Sequence, residues 1–521
     1  MSTPLTRDFI EQIPSTGEVD CIADKGSPIR IYPRSPLCCG GSILFVYRGL
    51  EGRRIASLSP ARERAPQGLE AEASSTLADG SHFASGPLSH GNAEFLREAA
   101  PFTAPSRVGP RRSFGLGDRL GLAGPAHLRS IEGTGLFPVL AQQSIRELER
   151  TSRTPEEVLD CATFSVFQES HQQGFAADGD HLKTTGDIDR VLNAGYTFFT
   201  FDPGDLVDND ADHLDGPELG RRLDSLPWGG LERTAESFLQ EYRERSFSLP
   251  GGFQVKGLPL AAERAAVKYG RVLVQLRSLF EHLARRRAAG SFQVEISVDE
   301  TDAVTSPFEH FLLMSELRRL RIQVDSLAPR FVGRFEKGID FRGDLGEFEA
   351  QFSEHVAVRD AFGGYRLSLH SGSDKFSVYP IFARLGGDQV HVKTAGTSYL
   401  EALRALIRID APLFRSIFAF SRDRYADARA SYHVSADLSR VPEAAPDDPE
   451  VSDRLLSTND DLRQVLHVAF GDVLTHRGPD GNDVFKSRLL AALDSGEATH
   501  FACLEEHFAR HIAPFRTSDS E

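Results

Sequence analysis

The chain has 521 residues, 40% of them hydrophobic and 26% charged, a balance that supports a sizeable buried core and excludes a chain disordered throughout. Lys plus Arg number 59 against 75 Asp plus Glu, a net charge of −16, which argues against nucleic acid or an anionic membrane as a general partner. No stretch reaches the roughly 18 apolar residues of a membrane span, and Met1–Asp8 lacks the apolar core of a secretory leader, so the cytoplasm is the expected location. The five cysteines, Cys21, Cys38, Cys39, Cys161 and Cys503, have no CxxC spacing, which argues against a disulfide framework or a thiolate metal site.

Residues 1–105 read as an N-terminal extension with a small β element. Ser42–Tyr47 is an apolar strand candidate, and Ser59–Gly91, rich in Pro, Gly, Ser and Ala, reads as loop or loosely packed structure. From Ser113 onward strand-like runs alternate with helical patterns, the rhythm of a parallel sheet. The strand candidates are Arg112–Gly115, Gly135–Leu140, Phe164–Phe167, Gly174–Asp178, Tyr196–Phe201, Phe292–Val298, Val324–Ala328, Tyr365–Leu369, Gln389–Val392 and Tyr432–Ser435. Helices are expected over Ser144–Arg150, Leu260–Arg287 and Pro307–Leu320, the last opened by Ser306-Pro307-Phe308-Glu309, a capping box with proline at the first helical position. Ten strands exceed the eight of a (β/α)8 barrel, so one or two are expected to lie outside it. The expected fold is α/β: a TIM-like barrel over residues 106–440, followed by a helical segment over 441–521. In that segment His500, His507 and His511 share a helical face and read as a packed or solvated stripe. No internal repeat is evident.

Four apolar runs end in reactive residues: Asp178-Gly179-Asp180-His181-Leu182-Lys183, Ser297-Val298-Asp299-Glu300, Leu369-His370-Ser371-Gly372-Ser373-Asp374-Lys375 and His391-Val392-Lys393-Thr394. In a barrel the C-terminal strand ends converge on one site, so these clusters predict shared chemistry. Asp180 suits a base, and His181, His370 and His391 with a carboxylate suit an open divalent-metal site. His433 is a weaker alternate ligand. Ile296, Val298 and Glu300 share a strand face by the period of two, so a valine turned into the barrel would carry Glu300 to the catalytic rim. Lys393 could neutralise an oxyanion or a carboxylate, and Arg330, at another strand end, could grip an anion by its planar fork. Phe114-Gly115-Leu116-Gly117-Asp118-Arg119-Leu120-Gly121 is no dinucleotide fingerprint, because its third glycine comes one residue late. Neither GxSxG nor a P-loop can be placed.

Taken together, several long motifs resemble one family, the tagaturonate epimerases, metal-dependent enzymes that invert C4 of 2-keto hexuronates and include relatives acting on fructose and tagatose. The likeness runs from Ser113 to Asp437 through Ser113–Arg119, Asp180–Thr184, Ser297–Glu300, Ser326–Gly333, Phe335-Glu336-Lys337-Gly338, Leu369–Ser377 and Lys393–Tyr399. The resemblance implies a barrel, a divalent cation (Zn, Mn, Co, Ni or Fe) and a small-molecule sugar substrate. It implies Asp180 as base, Glu300 as opposing acid, and His181, His370 and His391 as metal ligands, with Asp118, Arg119, Lys183, Arg330, Asp374, Lys375 and Lys393 around the substrate. The N-terminal hundred residues, and Gly179 where the pattern has alanine, depart from it and bear on substrate preference rather than reaction class. Two other classes use the same residues, a metal-dependent ketose–aldose isomerase and a non-catalytic sugar-binding protein.

Overall fold

The computed structural model describes residues 3–17, 19–23, 26–60 and 65–516. Its centre is a closed barrel of eight parallel strands, β1 (Ser113–Leu116), β2 (Phe137–Ser144), β3 (Ala176–Leu182), β4 (Phe198–Phe201), β5 (Gln293–Val298), β6 (Ser326–Pro329), β7 (Arg366–Leu369) and β8 (Val390–Thr394), each paired with its neighbour in sequence and β8 closing onto β1. The strands are buried on both faces, apart from the partly exposed His181 near the end of β3, which is why they read in sequence as short apolar runs.

Two of the ten strand candidates are corrected. Phe164–Phe167 lies inside the helix Pro155–Gln168, opened by a Thr154/Glu157 capping box. A four-residue apolar run cannot by itself distinguish a strand from a buried helix turn. Here Phe164 and Phe167, three apart, meet the N-terminal sheet, while Val166 faces the barrel. Tyr432–Ser435 is irregular chain after a 3-10 turn at Arg429–Ser431. The expected helices form as Ile145–Thr151, Ala261–Arg286 and Pro307–Arg319. Between β4 and β5 the chain inserts two short helices, Gly216–Asp224 and Ala235–Tyr242, and a hairpin of Ser246–Ser248 with Gln254–Lys256 before the long helix.

The N-terminal region is an antiparallel sheet of seven strands built around the hairpin Ser42–Gly49/Gly52–Ser59. Alternation along Ser42–Gly49 sends Ile43, Phe45 and Tyr47 toward the helix Arg7–Thr16, and Leu44 and Val46 toward the helix His90–Ala99 and the barrel helix Pro155–Gln168. The stretch Ser59–Gly91, expected as loop or loosely packed structure, contains two of the strands, Ala73–Thr76 and His82–Gly86; residues 61–64 of it, like Met1 and Ser2, lie outside the described residues. The polar and small residues of Ala73–Thr76 and His82–Gly86 hide two strands that pair with each other toward one edge of the sheet.

After the helix Thr397–Ile409 that follows β8, the chain continues through helices Ala411–Ala428, Pro449–Thr458, Asp460–Val468, Phe470–Thr475, Lys486–Ser495 and Glu497–Ile512. Most of these form their own apolar core with Thr397–Ile409. The last helix instead places Phe501, Leu504, Phe508 and Ile512 in the barrel's core, where His127 and Phe508 rings meet at 4.7 Å. The earlier helix Asp460–Val468 brings Arg463 and His467 against the strand-end loops. The five cysteines are free, and no helix of the described residues is long and apolar enough to cross a membrane.

Candidate active site

The C-terminal strand ends close around a pocket lined by Arg119, Gln142, Asp180, His181, Lys337, His370, Ser371, Ser373, Lys393, Ala395, Gly396 and His467. Two wider clefts, about 490 and 770 Å3, hold neither the carboxylates nor the imidazoles assigned catalytic or metal roles from sequence.

Lys393 on β8 is the electrostatic centre. Its Nζ lies 2.7 Å from Asp178 Oδ2, Asp180 Oδ1 and Glu295 Oε1, and donates to Thr200 Oγ1 at 2.8 Å. Burial works against the ammonium, but the three carboxylates outweigh it and hold the Lys393 pKa well above the lysine range. Burial lifts the Asp178 carboxyl to about 6, with Asp180 and Glu295 adding to it. Asp180 goes the other way: burial would raise it, but His181, Lys393 and His370 hold it below the usual carboxylate range. It is therefore ionised in the pocket wall, as a base must be.

His181 lies within a register shift between Gly179 and Leu182 and has φ of +52°, left-handed backbone that a non-glycine residue adopts at a cost. The bulge turns its ring into the pocket, where Nδ1 meets Asp202 Oδ2 at 3.0 Å and Nε2 lies 3.8 Å from Asp180 Oδ1. Beside it, Val191 Cγ2 would lie 2.7 Å from a Cβ on Gly179, so in this chain a valine methyl fills the space of the expected alanine. His370 sits 5.3 Å from His181 between ring centres, with Nε2 2.6 Å from Glu295 Oε1 and Nδ1 3.1 Å from Asp299 Oδ1. Against the cost of burial, the surrounding carboxylates push His181 up to about 10 and His370 up to about 9.

The remaining predicted residues divide. Glu300 stands exposed at the rim, Oε1 3.4 Å from Arg146 Nη2, because the parity of β5 is the reverse of that expected: Ile296 and Val298 pack under the helices and Glu295, Ser297 and Asp299 turn inward. It still reaches the site, since His181, Asp202 and Glu300 each present a donor atom, all within 4.8 Å of one another. His391 lies deeper, its Nδ1 2.9 Å from Ser113 Oγ, and does not line the pocket. Burial lowers it to about 3. His433 is exposed on irregular chain.

Arg119 lines the pocket, whereas Asp118 accepts the backbone N–H groups of Leu120, Gly121 and Ala123 and so shapes the turn after β1. Lys183 pairs with Asp205 at the rim, and Arg330 is half-buried at the end of β6, outside the lining. Asp374 faces away, toward the C-terminal helices, with Arg463 Nη2 at 3.0 Å and His507 Nε2 at 2.9 Å, and Lys375 spends its ammonium on the carbonyls of Glu336, Ile339 and Ser373. His507 and His511, from the expected stripe, are packed on Asp374.

Glu295, Asp202, Gln142 and His467 belong to the site without a role predicted from sequence, and Asp299, expected to face solvent or cap the next helix, instead turns inward onto His370 Nδ1. A carboxylate alternating with Val294 and Ile296 was a usable signal for Glu295. His467 carried none, because its partner Gly396 lies 71 residues earlier.

Residues 32–515 match the family model for tagaturonate epimerase. The chain belongs to the tagaturonate epimerase family. It is 39% identical over 457 residues, 87% of this chain and 90% of the relative, to the tagaturonate/fructuronate epimerase of Thermotoga maritima. Among solved structures, a glycerol complex of the fructuronate–tagaturonate epimerase of Cohnella laeviribosi superposes with a TM-score of 0.86 at 33% identity, covering 98% of this chain and 99% of that one. The native structure of the same protein gives 0.85 at 32% identity, covering 98% of each. Like the rest of the tagaturonate epimerase family, this chain is an epimerase acting on carbohydrates, built on a TIM-like barrel.

Proposed function

We propose that this chain interconverts tagaturonate and fructuronate by inverting C4, with a divalent cation at the barrel mouth. The observation that carries the reading is the convergence of Asp180, His181, His370 and Lys393 on one enclosed pocket in a chain 39% identical to a tagaturonate/fructuronate epimerase. The residues suit a cation. Six carboxylates, Asp178, Asp180, Asp202, Glu295, Asp299 and Glu300, crowd the two imidazoles, and Lys393 with Arg146 and Lys183 at the rim leaves them in excess. His181 and Asp202, whose donor atoms lie within 4.8 Å of each other and of one on Glu300, would hold the ion, with the His370 ring beside His181, an imidazole and carboxylate set. When bound, it supplies a Lewis acid for the oxygens at C2 and C3.

C4 of a 2-ketose is not adjacent to the carbonyl, so its hydrogen is not acidified and direct enolisation cannot invert it. Asp180, ionised and fixed by Lys393, is the base on one side of the substrate. Glu300 at the rim is the second proton carrier. Cleavage between C3 and C4 needs Asp180 to take the C4 hydroxyl proton, and re-addition to the turned aldehyde needs Glu300 to return one. A carbonyl shift to C3 would instead place the C4 hydrogen itself on Asp180.

The test is product analysis by NMR in deuterated water, with metal-loaded and chelated protein, on tagaturonate, fructuronate, tagatose and fructose. The reading expects the C4 epimer of the uronates with metal only. An aldose product would replace it with an isomerase, and no turnover of any ketose with a metal-loaded site would sink it. Deuterium at C4 of the product marks the carbonyl shift, and its absence marks cleavage.

A further inference from the structure

The pocket is lined by two chemically distinct groups, Asp180, His181, His370 and Lys393 on the one hand and Arg119, Lys337 and His467 on the other, with Gln142 also in the wall. In the second group Arg119 Nη1, both His467 ring nitrogens and the Lys337 ammonium have no partner among the described residues.

Arg119 is 3% exposed. Its Nε and Nη2 donate to Glu147 Oε1 at 2.9 and 2.5 Å, and its guanidinium lies 3.6 Å over the Phe470 ring. Clamped on an edge and a face, the group keeps Nη1 buried with no hydrogen-bond partner, and such an orphaned donor is costly unless something binds it. His467, 1% exposed, has neither ring nitrogen partnered. Its ring lies over Gly396, where a Cβ would come within 1.9 Å of Cε1; the glycine is what lets the imidazole descend to the pocket. Gln142, also 1% exposed, has both amide atoms unpartnered. Lys337 makes no hydrogen bond or ion pair among the described residues. The helix Thr397–Ile409 opens at Gly396 with no capping side chain, so its positive end adds to the same corner. Burial, with Arg119, Lys337 and Arg463 nearby, holds the His467 pKa well below the histidine range, so the neutral ring can donate one hydrogen bond.

We infer that Arg119, Lys337 and His467 form the subsite that grips the C6 carboxylate of the substrate and so selects uronates over neutral ketoses. The inference rests on the uronate epimerase reading. The free Nη1 of a guanidinium held rigid by Glu147, a lysine and a neutral imidazole suit an anion, whereas a hydroxymethyl group would leave most of these donors buried and unpaired. Because His467 belongs to the helix Asp460–Val468, the C-terminal helices complete the substrate site.

The experiment measures kcat and KM for tagaturonate, and the inhibition constant of tagatose as a competitor, in metal-loaded wild type, Arg119→Gln, Lys337→Met and His467→Ala. The expected result is a rise in the tagaturonate KM on the order of 10- to 100-fold, with the tagatose constant moving less than about threefold. Parallel loss of both, or an unchanged KM in all three variants, overturns the subsite. If tagatose does not compete even with wild type, the KM series alone decides. Lys337→Met, which removes no contact, keeps the test open should Arg119→Gln fail to fold. Wild type that turns over no uronate refutes the functional reading instead, so the two failures are distinguishable.

Discussion

Lys393 shows how much of this site hangs on a single atom. Its Nζ compensates Asp178, Asp180 and Glu295 together, and removing one member of a buried charge network strands the others. Lys393→Met is expected to lower stability by about 3–5 kcal/mol and to abolish turnover; a denaturation midpoint within error of wild type would contradict this. Asp180→Asn keeps the shape and removes the proposed base, so kcat should fall by roughly 10²–10⁴-fold with metal content unchanged. His181→Ala should instead lose the metal, read by elemental analysis after dialysis. At this scale Asp180, His181, His370 and Lys393 were legible because reactive residues at the ends of buried strands have no packing reason to be there. Glu300 was read with the wrong parity, since a period of two tells which residues share a face and not which face turns inward.

Between elements, the pocket is held by contacts that no local pattern announces. Lys375, drawn down to about 8 by burial, holds the carbonyls of Glu336, Ile339 and Ser373 and so ties the strap 336–339 to the loop after β7. Lys375→Met orphans three carbonyls at about 1–3 kcal/mol each, and hydrogen exchange over residues 336–341 should speed up first. Gly396→Ala drives a methyl into the His467 ring, which predicts a loss of about 1–3 kcal/mol and a raised KM. His467→Ala in the same chain should restore the stability but not the KM. If the single and double variants melt alike, the ring does not lie where the structure has it.

Over the whole molecule, histidine burial sets the response to acid. Burial depresses His127 and His500 to about 4 and His355 and His511 to about 3, and holds His310 well below its usual range. For each, the folded value lies below the unfolded value of about 6.5, so between about pH 6.5 and 4 the unfolded chain binds a proton that the native state refuses. Stability therefore falls as pH falls, by ~1.4 kcal/mol per pH unit for each such group. His181 and His370 have the opposite sign in metal-free protein: their contribution is full below about pH 6.5 and is lost as pH rises through 9 to 10. Metal-free protein should thus be most stable near pH 6.5. A melting temperature that stays flat from pH 6.5 to 4.5 would refute the neutral buried state of these histidines.

The sequence by itself determined the barrel, because strands covered on both faces must be apolar along their length, and it determined which strand ends meet in one pocket, because those runs end in Asp, His and Lys. It did not separate Phe164–Phe167 from the strands, since a short apolar run satisfies a buried helix equally well. Only the tertiary structure decided that β5 turns Glu295 rather than Ile296 inward, that His391 lies a layer too deep to reach the pocket, and that Asp374 and Lys375 face the C-terminal helices and the strap. It also decided that His467 meets Gly396. These are choices of depth, direction and partner between segments far apart in sequence, and no local pattern encodes them.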